Sequence, residues 1–173
     1  MNDGNELGEE TCAHPDVDKI KLTGSVATGK RVMATPAGTL KRMTIEPGGN
    51  DPCIVGKDAD IDRIAPALFA AAFVNSGQVC VAIKRLYVHE TLQDRLAQRM
   101  AELASKARVG EGFDSDTELG PVQNRGQFES VKAVLDEVRA DPEARVMAGG
   151  KAFDGPGYFI EPTTVTGLKE GGS

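Results

Sequence analysis

Apolar residues recur along this chain with two periods, one typical of strands and one typical of helices. Six short runs of alternating or continuous apolar residues predict strands: Lys19–Thr23, Lys41–Glu46, Pro52–Val55, Arg85–His89, Arg145–Ala148 and Tyr158–Val165. Apolar residues three and four positions apart predict helices, in the stripes Ile61, Ile64, Ala65, Leu68 and Ala72, then Leu92, Leu96, Met100 and Leu103, then Phe128, Val131, Leu135 and Val138. Because strands alternate with helices, the pattern predicts an α/β fold with a parallel sheet.

A glycine-bounded turn, Gly24 to Gly29, follows the first predicted strand and leads into a further helix, which Pro36 and Gly38 are predicted to end. A turn between a strand and a helix gathers backbone N–H groups and the helix N-terminus around one point, and this geometry binds phosphate. The same turn also serves as a plain connection. Taken alone, it leaves a phosphate site and a purely structural role open.

Composition and charge argue against several classes of protein. The 20 basic and 26 acidic residues give a net charge of −6, which does not favour binding to nucleic acid or to an anionic membrane. No apolar run approaches the roughly 20 residues that span a bilayer. Three widely spaced cysteines favour a reducing, cytoplasmic compartment with free thiols. The two histidines, His14 and His89, form no metal-binding spacing with these cysteines.

Two reactive side chains stand at the ends of apolar elements, where active sites of α/β proteins collect. Glu46 closes a predicted strand in front of a Gly-Gly turn, and a carboxylate there can act as a general base. Cys80 follows an apolar helix and a polar turn, and its thiolate form would be a nucleophile. The ordinary alternatives are an exposed strand-end carboxylate and a buried core thiol. Cys12 and Cys53 show no partner pattern.

Four groups of residues, in the right order, resemble motifs of the NAD(P)-dependent aldehyde dehydrogenase family. They are Leu22-Thr23-Gly24-Ser25 with Gly29, Ile45-Glu46-Pro47-Gly48-Gly49-Asn50, Phe73-x-Asn75-x-Gly77-Gln78-x-Cys80, and a later group formed by Leu119-Gly120-Pro121, Gly149-Gly150 and Gly157-Tyr158-Phe159-Ile160-Glu161-Pro162-Thr163. Glu46 and Cys80 are also separated as in the family. The chain departs from the family pattern at Pro47, where leucine is usual, and at Val26, where threonine is common.

The resemblance implies a fold in two parts. Residues 1–47 would be the end of a Rossmann-like NAD-binding domain, and residues 48–173 the first part of a parallel α/β catalytic domain. It also implies a covalent reaction, in which the Cys80 thiolate attacks an aldehyde and hydride passes to NAD or NADP. Glu46 would then activate the water that hydrolyses the thioester to a carboxylic acid.

The resemblance also carries expectations about ligands and partners. Gly24, Ser25, Thr28 and Gly29 are expected to lie against the pyrophosphate and adenosine of the cofactor. Gly4 and Gly8 stand where the family has paired glycines near the adenine. The expected substrate is a small aldehyde, and no metal, nucleic acid or membrane is expected as a partner. The parent enzyme is expected to be a cytoplasmic homo-oligomer.

The resemblance finally implies that the chain is an internal fragment, because further cofactor and oxyanion-hole residues of the family would fall outside it. We therefore expect little or no dehydrogenase activity from the chain alone. Two other interpretations stay open at this point. One is a cysteine esterase or acyltransferase that uses Cys80 and Glu46 without a nicotinamide, and the other is a truncated chain without dehydrogenase activity.

Overall fold

The computed structural model describes residues 4–35 and 40–169, with side chains from Leu7 onward. The described elements, in chain order, are α1 (Gly4–Ala13), β1 (Lys19–Gly24), α2 (Val26–Ala34), β2 (Arg42–Pro47), β3 (Asp51–Val55), α3 (Ile61–Phe73), β4 (Ile83–Val88), α4 (Gln93–Lys106), α5 (Arg125–Ala140), β5 (Arg145–Ala148) and β6 (Thr164–Thr166). The chain divides into two compact units, residues 1–49 and residues 50–173. Pro36 and Gly38, which were predicted to end α2, lie outside the described residues.

The first unit is built on a parallel pair of strands. β1 and β2 pair in register from Lys19 with Arg42 to Gly24 with Pro47, and α2 connects them. Since the strands are parallel, their carboxyl ends lie at the same edge. The ammonium of Lys41 donates to the backbone oxygen of Cys12 at 3.1 Å, which joins the end of α1 to the start of β2.

The second unit has its core where a parallel strand pair meets two helices. β3 and β4 pair in parallel, and α3 and α4 pack together beside them. The predicted apolar stripes account for this core, whose buried members are Val55, Ile61, Ala65, Leu96 and Met100. Ile61 and Leu96 have almost no exposed surface, as expected for side chains that drive helix packing. The core therefore follows the periodicity of the sequence.

The last strand pair differs from the prediction of a parallel sheet. β5 and β6 pair in an antiparallel direction, with Val146 opposite Val165. The final strand is also shorter than the predicted run from Tyr158, because Ile160 makes only an isolated bridge to Ala152. The segment between β5 and β6 contains no described helix. A parallel pair needs a crossover, usually a helix, whereas a chain that simply folds back pairs antiparallel.

Local signals explain where α3 begins and how it continues. The Asp60 carboxylate accepts from the backbone N–H of Arg63 at 3.4 Å and caps the first turn. Pro66 is the sixth residue of the helix and removes one backbone donor, yet the helix runs on to Phe73. Ile61 and Ala65, both before the proline, are fully buried, and Leu68 after it packs against the same core, so packing maintains a helix that proline weakens. Across the described residues, no helix is long and apolar enough to cross a membrane.

Candidate active site

The predicted phosphate turn in the first unit is shorter than the sequence suggested. β1 ends at Gly24 and α2 already begins at Val26, so only Ser25 separates the two elements. The Ser25 hydroxyl accepts from the backbone N–H of Thr28 at 3.1 Å and lies 2.9 Å from the Thr28 hydroxyl. A serine hydroxyl that accepts from the backbone N–H three residues later is an N-cap. Because Ser25 caps α2 in this way, the helix begins closer to β1 than the sequence predicted. Thr28 therefore lies in the first helical turn.

Gly29 was expected in the turn, but it lies inside α2, where it allows close packing against β2. It is buried, and a Cβ built on it would lie 3.2 Å from Ile45 Cγ2 on β2. A side chain at this position would push the helix away from the strand. The backbone N–H groups of the first helical turn lack partners within the helix and lie at the carboxyl end of β1. This arrangement fits a phosphate group, with Ser25 and Thr28 beside it.

Glu46 lies at the same edge of the first unit as the start of α2. It pairs in register with Thr23 near the ends of β2 and β1, and its side chain is exposed. Pro47 is the last residue of β2 and lacks a backbone donor, but Gly48 donates to the Gly24 oxygen at 3.0 Å and continues the contact. The proline therefore does not detach Glu46 from the strand pair. The exposure of Glu46 is that of the ordinary alternative, a strand-end carboxylate, and its role as a general base stays a prediction.

Gly4 and Gly8 lie on a helix and not in a turn. α1 begins at Gly4, and Gly8 follows one helical turn later on the same side. A Cβ added at Gly8 would meet no heavy atom within 4 Å, so the space beside it is open. The structure thus leaves room beside Gly8, and the proposed contact with an adenine stays a prediction.

In the second unit, Cys80 stands in a tight turn between α3 and β4. The backbone N–H of Ala82 donates to the Val79 oxygen at 3.1 Å, which places Cys80 inside a four-residue turn. Cys80 is exposed, whereas Ala82 is completely buried and β4 begins at the next residue. The alternative of a buried core thiol is therefore wrong for Cys80. Its thiol faces solvent from a backbone anchored immediately behind it.

The three residues after Val74 adopt an unusual left-handed backbone. Asn75, Ser76 and Gly77 have φ angles of 50°, 56° and 75°. Such a conformation costs roughly 1–2 kcal/mol for each residue with a Cβ, although asparagine tolerates it better than most. It persists where surrounding contacts hold it. This strained segment directly precedes the Cys80 turn, so contacts from the surrounding structure must stabilise it.

The loop of residues 120–123 provides several of these contacts. The Ser76 hydroxyl donates to the Gly120 oxygen at 2.9 Å. The Gln78 side-chain amide donates to the Pro121 oxygen at 3.1 Å, and its oxygen accepts from the backbone N–H of Gln123 at 2.7 Å. These partners lie more than forty positions from the turn, so no local pattern revealed them. The only sequence signal was the occurrence of Gly77-Gln78 and Gly120-Pro121 in motifs of one family.

Lys84 makes a further contact with the turn. Its ammonium donates to the backbone oxygen of Gly77. Partial burial of the ammonium lowers the pKa of Lys84 below its ordinary value, and the nearby negative charge of Asp51 opposes that effect. Lys84, Ser76 and Gly77 also line a groove of about 950 Å³ between β4, α4 and β6, which Cys80 does not line.

The remaining candidates for chemistry are few. Cys53 lies half-buried in β3, and Cys12 is buried in α1, so neither presents a thiol as Cys80 does. The described ranges, 4–35 and 40–169, hold no group of three or more His, Cys, Asp or Glu residues that could bind a metal ion. Cys80 belongs to the second unit and Glu46 to the first, and each has its own supporting contacts there.

Comparison with known proteins identifies the family. The sequence matches the family model described as "Aldehyde dehydrogenase family" over residues 1–171. This chain belongs to the aldehyde dehydrogenase family. Membership confirms the resemblance carried by the Glu46 and Cys80 motifs and the α/β fold class. The individual roles of these residues remain predictions.

Related aldehyde dehydrogenases come from several organisms. The crystal structure of succinate-semialdehyde dehydrogenase from Burkholderia pseudomallei matches with a TM-score of 0.91 and 38% identity, over 98% of this chain and 35% of that chain. The NAD+ complex of aldehyde dehydrogenase from Bacillus cereus matches with a TM-score of 0.92 and 33% identity, over 97% and 34%. The mitochondrial aldehyde dehydrogenase of Leishmania tarentolae is 39% identical over 169 residues, which are 96% of this chain and 34% of that protein. The chain thus spans about a third of the length of these relatives.

Proposed function

We propose that Cys80 is the nucleophile of an NAD(P)-dependent oxidation of aldehydes to carboxylic acids, with Glu46 as the general base. The observation that carries the proposal is the geometry of Cys80, an exposed thiol on a turn backed by the fully buried Ala82. A nucleophile must reach its substrate and must also be held in place, and this turn meets both conditions. Membership of the family supports an aldehyde as the substrate class.

In the proposed reaction, Cys80 Sγ bonds to the aldehyde carbon and the carbonyl oxygen takes up the negative charge. When bound, NAD or NADP supplies the acceptor for the hydride that leaves this carbon. The carbon is then held to Cys80 as a thioester. Glu46 takes a proton from water, the water oxygen attacks the thioester, and the carbon–sulfur bond breaks to release the acid and the Cys80 thiolate. The place of Glu46 at the end of β2, in a chain that matches the family model, supports this role.

The cofactor proposal places NAD or NADP phosphate at the start of α2. The helix N-terminus, the Ser25 and Thr28 hydroxyls and Gly24 form a small polar region with a favourable dipole. The NAD+ complex of the Bacillus cereus relative supports the choice of a nicotinamide dinucleotide. Calorimetric titration with NAD and with NADP would show which of the two binds more tightly.

We also propose a cytoplasmic homo-oligomer as the working form of the whole enzyme. The three free cysteines support a reducing compartment. Cell fractionation would separate this proposal from the mitochondrial location named for the Leishmania relative. Light scattering at several protein concentrations would report the number of subunits.

The nucleophile can be tested without the cofactor by acylation with p-nitrophenyl acetate. We expect one p-nitrophenolate per chain in an initial burst and an acetyl group on the peptide that contains Cys80. The Cys80→Ser variant should lose both signals, whereas Cys53→Ser, at a half-buried thiol, should keep them. Absence of acetyl transfer to Cys80 would contradict its role as nucleophile. Fast, continuous turnover without a nicotinamide would instead favour the cysteine esterase.

A further inference from the structure

The backbone around Cys80 forms a short loop whose two ends are connected by a hydrogen bond. On one side stands the left-handed turn of Asn75, Ser76 and Gly77, and on the other side β4 begins at Ile83. The hydrogen bond from the Lys84 ammonium to the Gly77 oxygen connects these sides. Cys80 lies near the middle of the loop from 77 to 84. Closing a loop at its ends reduces the number of conformations open to the residues inside it.

The contacts of the turn with the loop of residues 120–123 involve Ser76 and Gln78, whereas the Gly77 carbonyl accepts from Lys84. Ser76 and Gln78 bind the loop of residues 120–123 through their side chains, at 2.9 Å to Gly120 and 3.1 Å to Pro121. Those contacts connect the turn to the loop of residues 120–123. Lys84 reaches the turn from β4, the strand that the buried core of the second unit anchors through Leu86 and Val88. Lys84 is therefore the link between the turn and the rigid strand.

The same hydrogen bond also bears on the backbone conformation of Gly77. Its φ of 75° lies in the left-handed region, and a Cβ there would lie 3.4 Å from the Ala72 oxygen. With the carbonyl held by Lys84, the peptide plane after Gly77 has a defined direction. Gln78 follows directly and donates its own backbone N–H to the Asn75 oxygen at 3.1 Å. A change in the direction of the Gly77 carbonyl would therefore disturb the start of the Cys80 turn.

We propose that Lys84 is a positioning residue for Cys80, which holds the Gly77 carbonyl and thereby keeps the Cys80 loop in one conformation. The proposal rests on the proposed function of Cys80 as nucleophile. Lys84 acts through the backbone and takes no part in bond making. Its charge matters because a charged donor makes a stronger hydrogen bond to a carbonyl than a neutral one.

The test compares three variants by hydrogen–deuterium exchange and by acylation. Lys84→Met removes the donor while keeping side-chain length, and Lys84→Arg restores a charged donor. Lys57→Met changes an exposed lysine on the loop between β3 and α3 and serves as the matched control. In Lys84→Met we expect amide exchange in residues 75–82 to rise about tenfold, because the loop opens more often, while β3 exchanges as before. Acylation of Cys80 by p-nitrophenyl acetate should slow by about fivefold to tenfold, as expected for a misplaced nucleophile.

The outcomes separate positioning from general stability. Restoration of both rates toward the wild-type values by Lys84→Arg, with the free energy of unfolding of Lys84→Met unchanged at neutral pH, would support the proposal. Unchanged exchange and acylation in Lys84→Met would overturn it. Faster exchange throughout the second unit would also overturn it, because Lys84 would then act on overall stability. Faster exchange in residues 75–82 alone, with Cys80 unreactive in every variant, would support the loop contact and overturn the proposed function.

Discussion

At the scale of single residues, Cys80 owes its accessibility to its neighbours. Ala82 is completely buried and fixes the backbone two residues away, while Val81 is 73% exposed beside the thiol. The turn therefore combines a fixed backbone with an exposed thiol. Both follow because the turn lies directly before β4, where Ala82 is buried.

Gly77 is the residue whose replacement should disturb this turn most directly. Alanine at a φ of 75° adopts a disfavoured conformation, although its Cβ would lie at an ordinary contact distance of 3.4 Å from the Ala72 oxygen. We expect Gly77→Ala to lower the free energy of unfolding by about 1 kcal/mol, after allowing for the reduced entropy of the unfolded chain. Urea titration would measure the change. Gly112→Ala is the control, since a Cβ there meets nothing within 4 Å, and an equal loss in both variants would contradict a special role for the left-handed turn.

Lys84 should leave a signature in the pH dependence of stability. Partial burial lowers its pKa in the folded chain below the ordinary value of 10.5, despite the attraction of Asp51. As pH rises from the folded pKa toward 10.5, the unfolded chain therefore holds more protons than the folded chain, and stability increases with pH. Subtracting the unfolding free energy of Lys84→Met from that of the wild type isolates this contribution. We expect the difference to grow with pH below 10.5, and a flat or falling difference would rule out the lowered pKa.

At the scale of secondary-structure elements, α2 links stability and the proposed cofactor site. Ser25 caps the helix through the backbone N–H of Thr28 and also stands where the phosphate is proposed to bind. One side chain thus has two possible roles. They can be separated because aspartate is as good an N-cap as serine but carries a negative charge.

We expect Ser25→Ala to lower the free energy of unfolding by about 1 kcal/mol through loss of the cap. Ser25→Asp should keep the stability and weaken NAD binding, because its carboxylate repels phosphate at the helix start. Thermal unfolding and calorimetric titration would measure the two quantities. Nicotinamide binding that is unaffected by Ser25→Asp would place the phosphate elsewhere.

The strands show which features of an element can be read from a sequence. The strand Arg145–Ala148 was predicted with the bounds that the structure has, and the others were found within a few residues, apart from the last. That last strand, Thr164–Thr166, was predicted too long and in the wrong direction relative to β5. Apolar alternation marks a chain as extended, but extended chain also occurs in irregular loops. The direction of pairing depends on the connection between the strands.

At the scale of the whole molecule, the chain divides close to the end of β2. The compact units are residues 1–49 and 50–173, and Glu46 and Cys80 lie in different units. We propose that the first unit belongs to a nucleotide-binding domain and the second to a catalytic domain. In this proposal each unit supplies one of the two reacting side chains.

Aldehyde oxidation itself is best tested in a chimera, because the chain spans about a third of the length of its relatives. Replacing the matched third of the Burkholderia pseudomallei enzyme by this chain should give NADH or NADPH formation with an aldehyde. Cys80→Ser in the chimera should abolish it, and Glu46→Gln should leave the acyl group on Cys80 for longer. The 173-residue chain alone is expected to show little or no such activity. A folded chimera without turnover would contradict the proposed function.

The sequence by itself determined the family, the order of the strands and helices from β1 onward, and several side chains that fill the core, whereas α1 was not predicted. Apolar periods identify Ile61 and Leu96 because a helix repeats its buried face at fixed spacing. Motifs around Glu46 and Cys80 identify the family because they are contiguous in the chain. These are local properties, and each can be read from a window of a few residues.

The tertiary structure alone decided how distant residues combine. It placed Gly29 inside α2 against Ile45, turned β6 antiparallel to β5, and bound Gln78 to the loop of residues 120–123. It also joined Lys84 to Gly77 around Cys80. Such contacts depend on packing and loop closure between segments far apart in the chain, for which periodicity carries no information. Thus the sequence was enough to single out Cys80, and only the fold revealed what holds it.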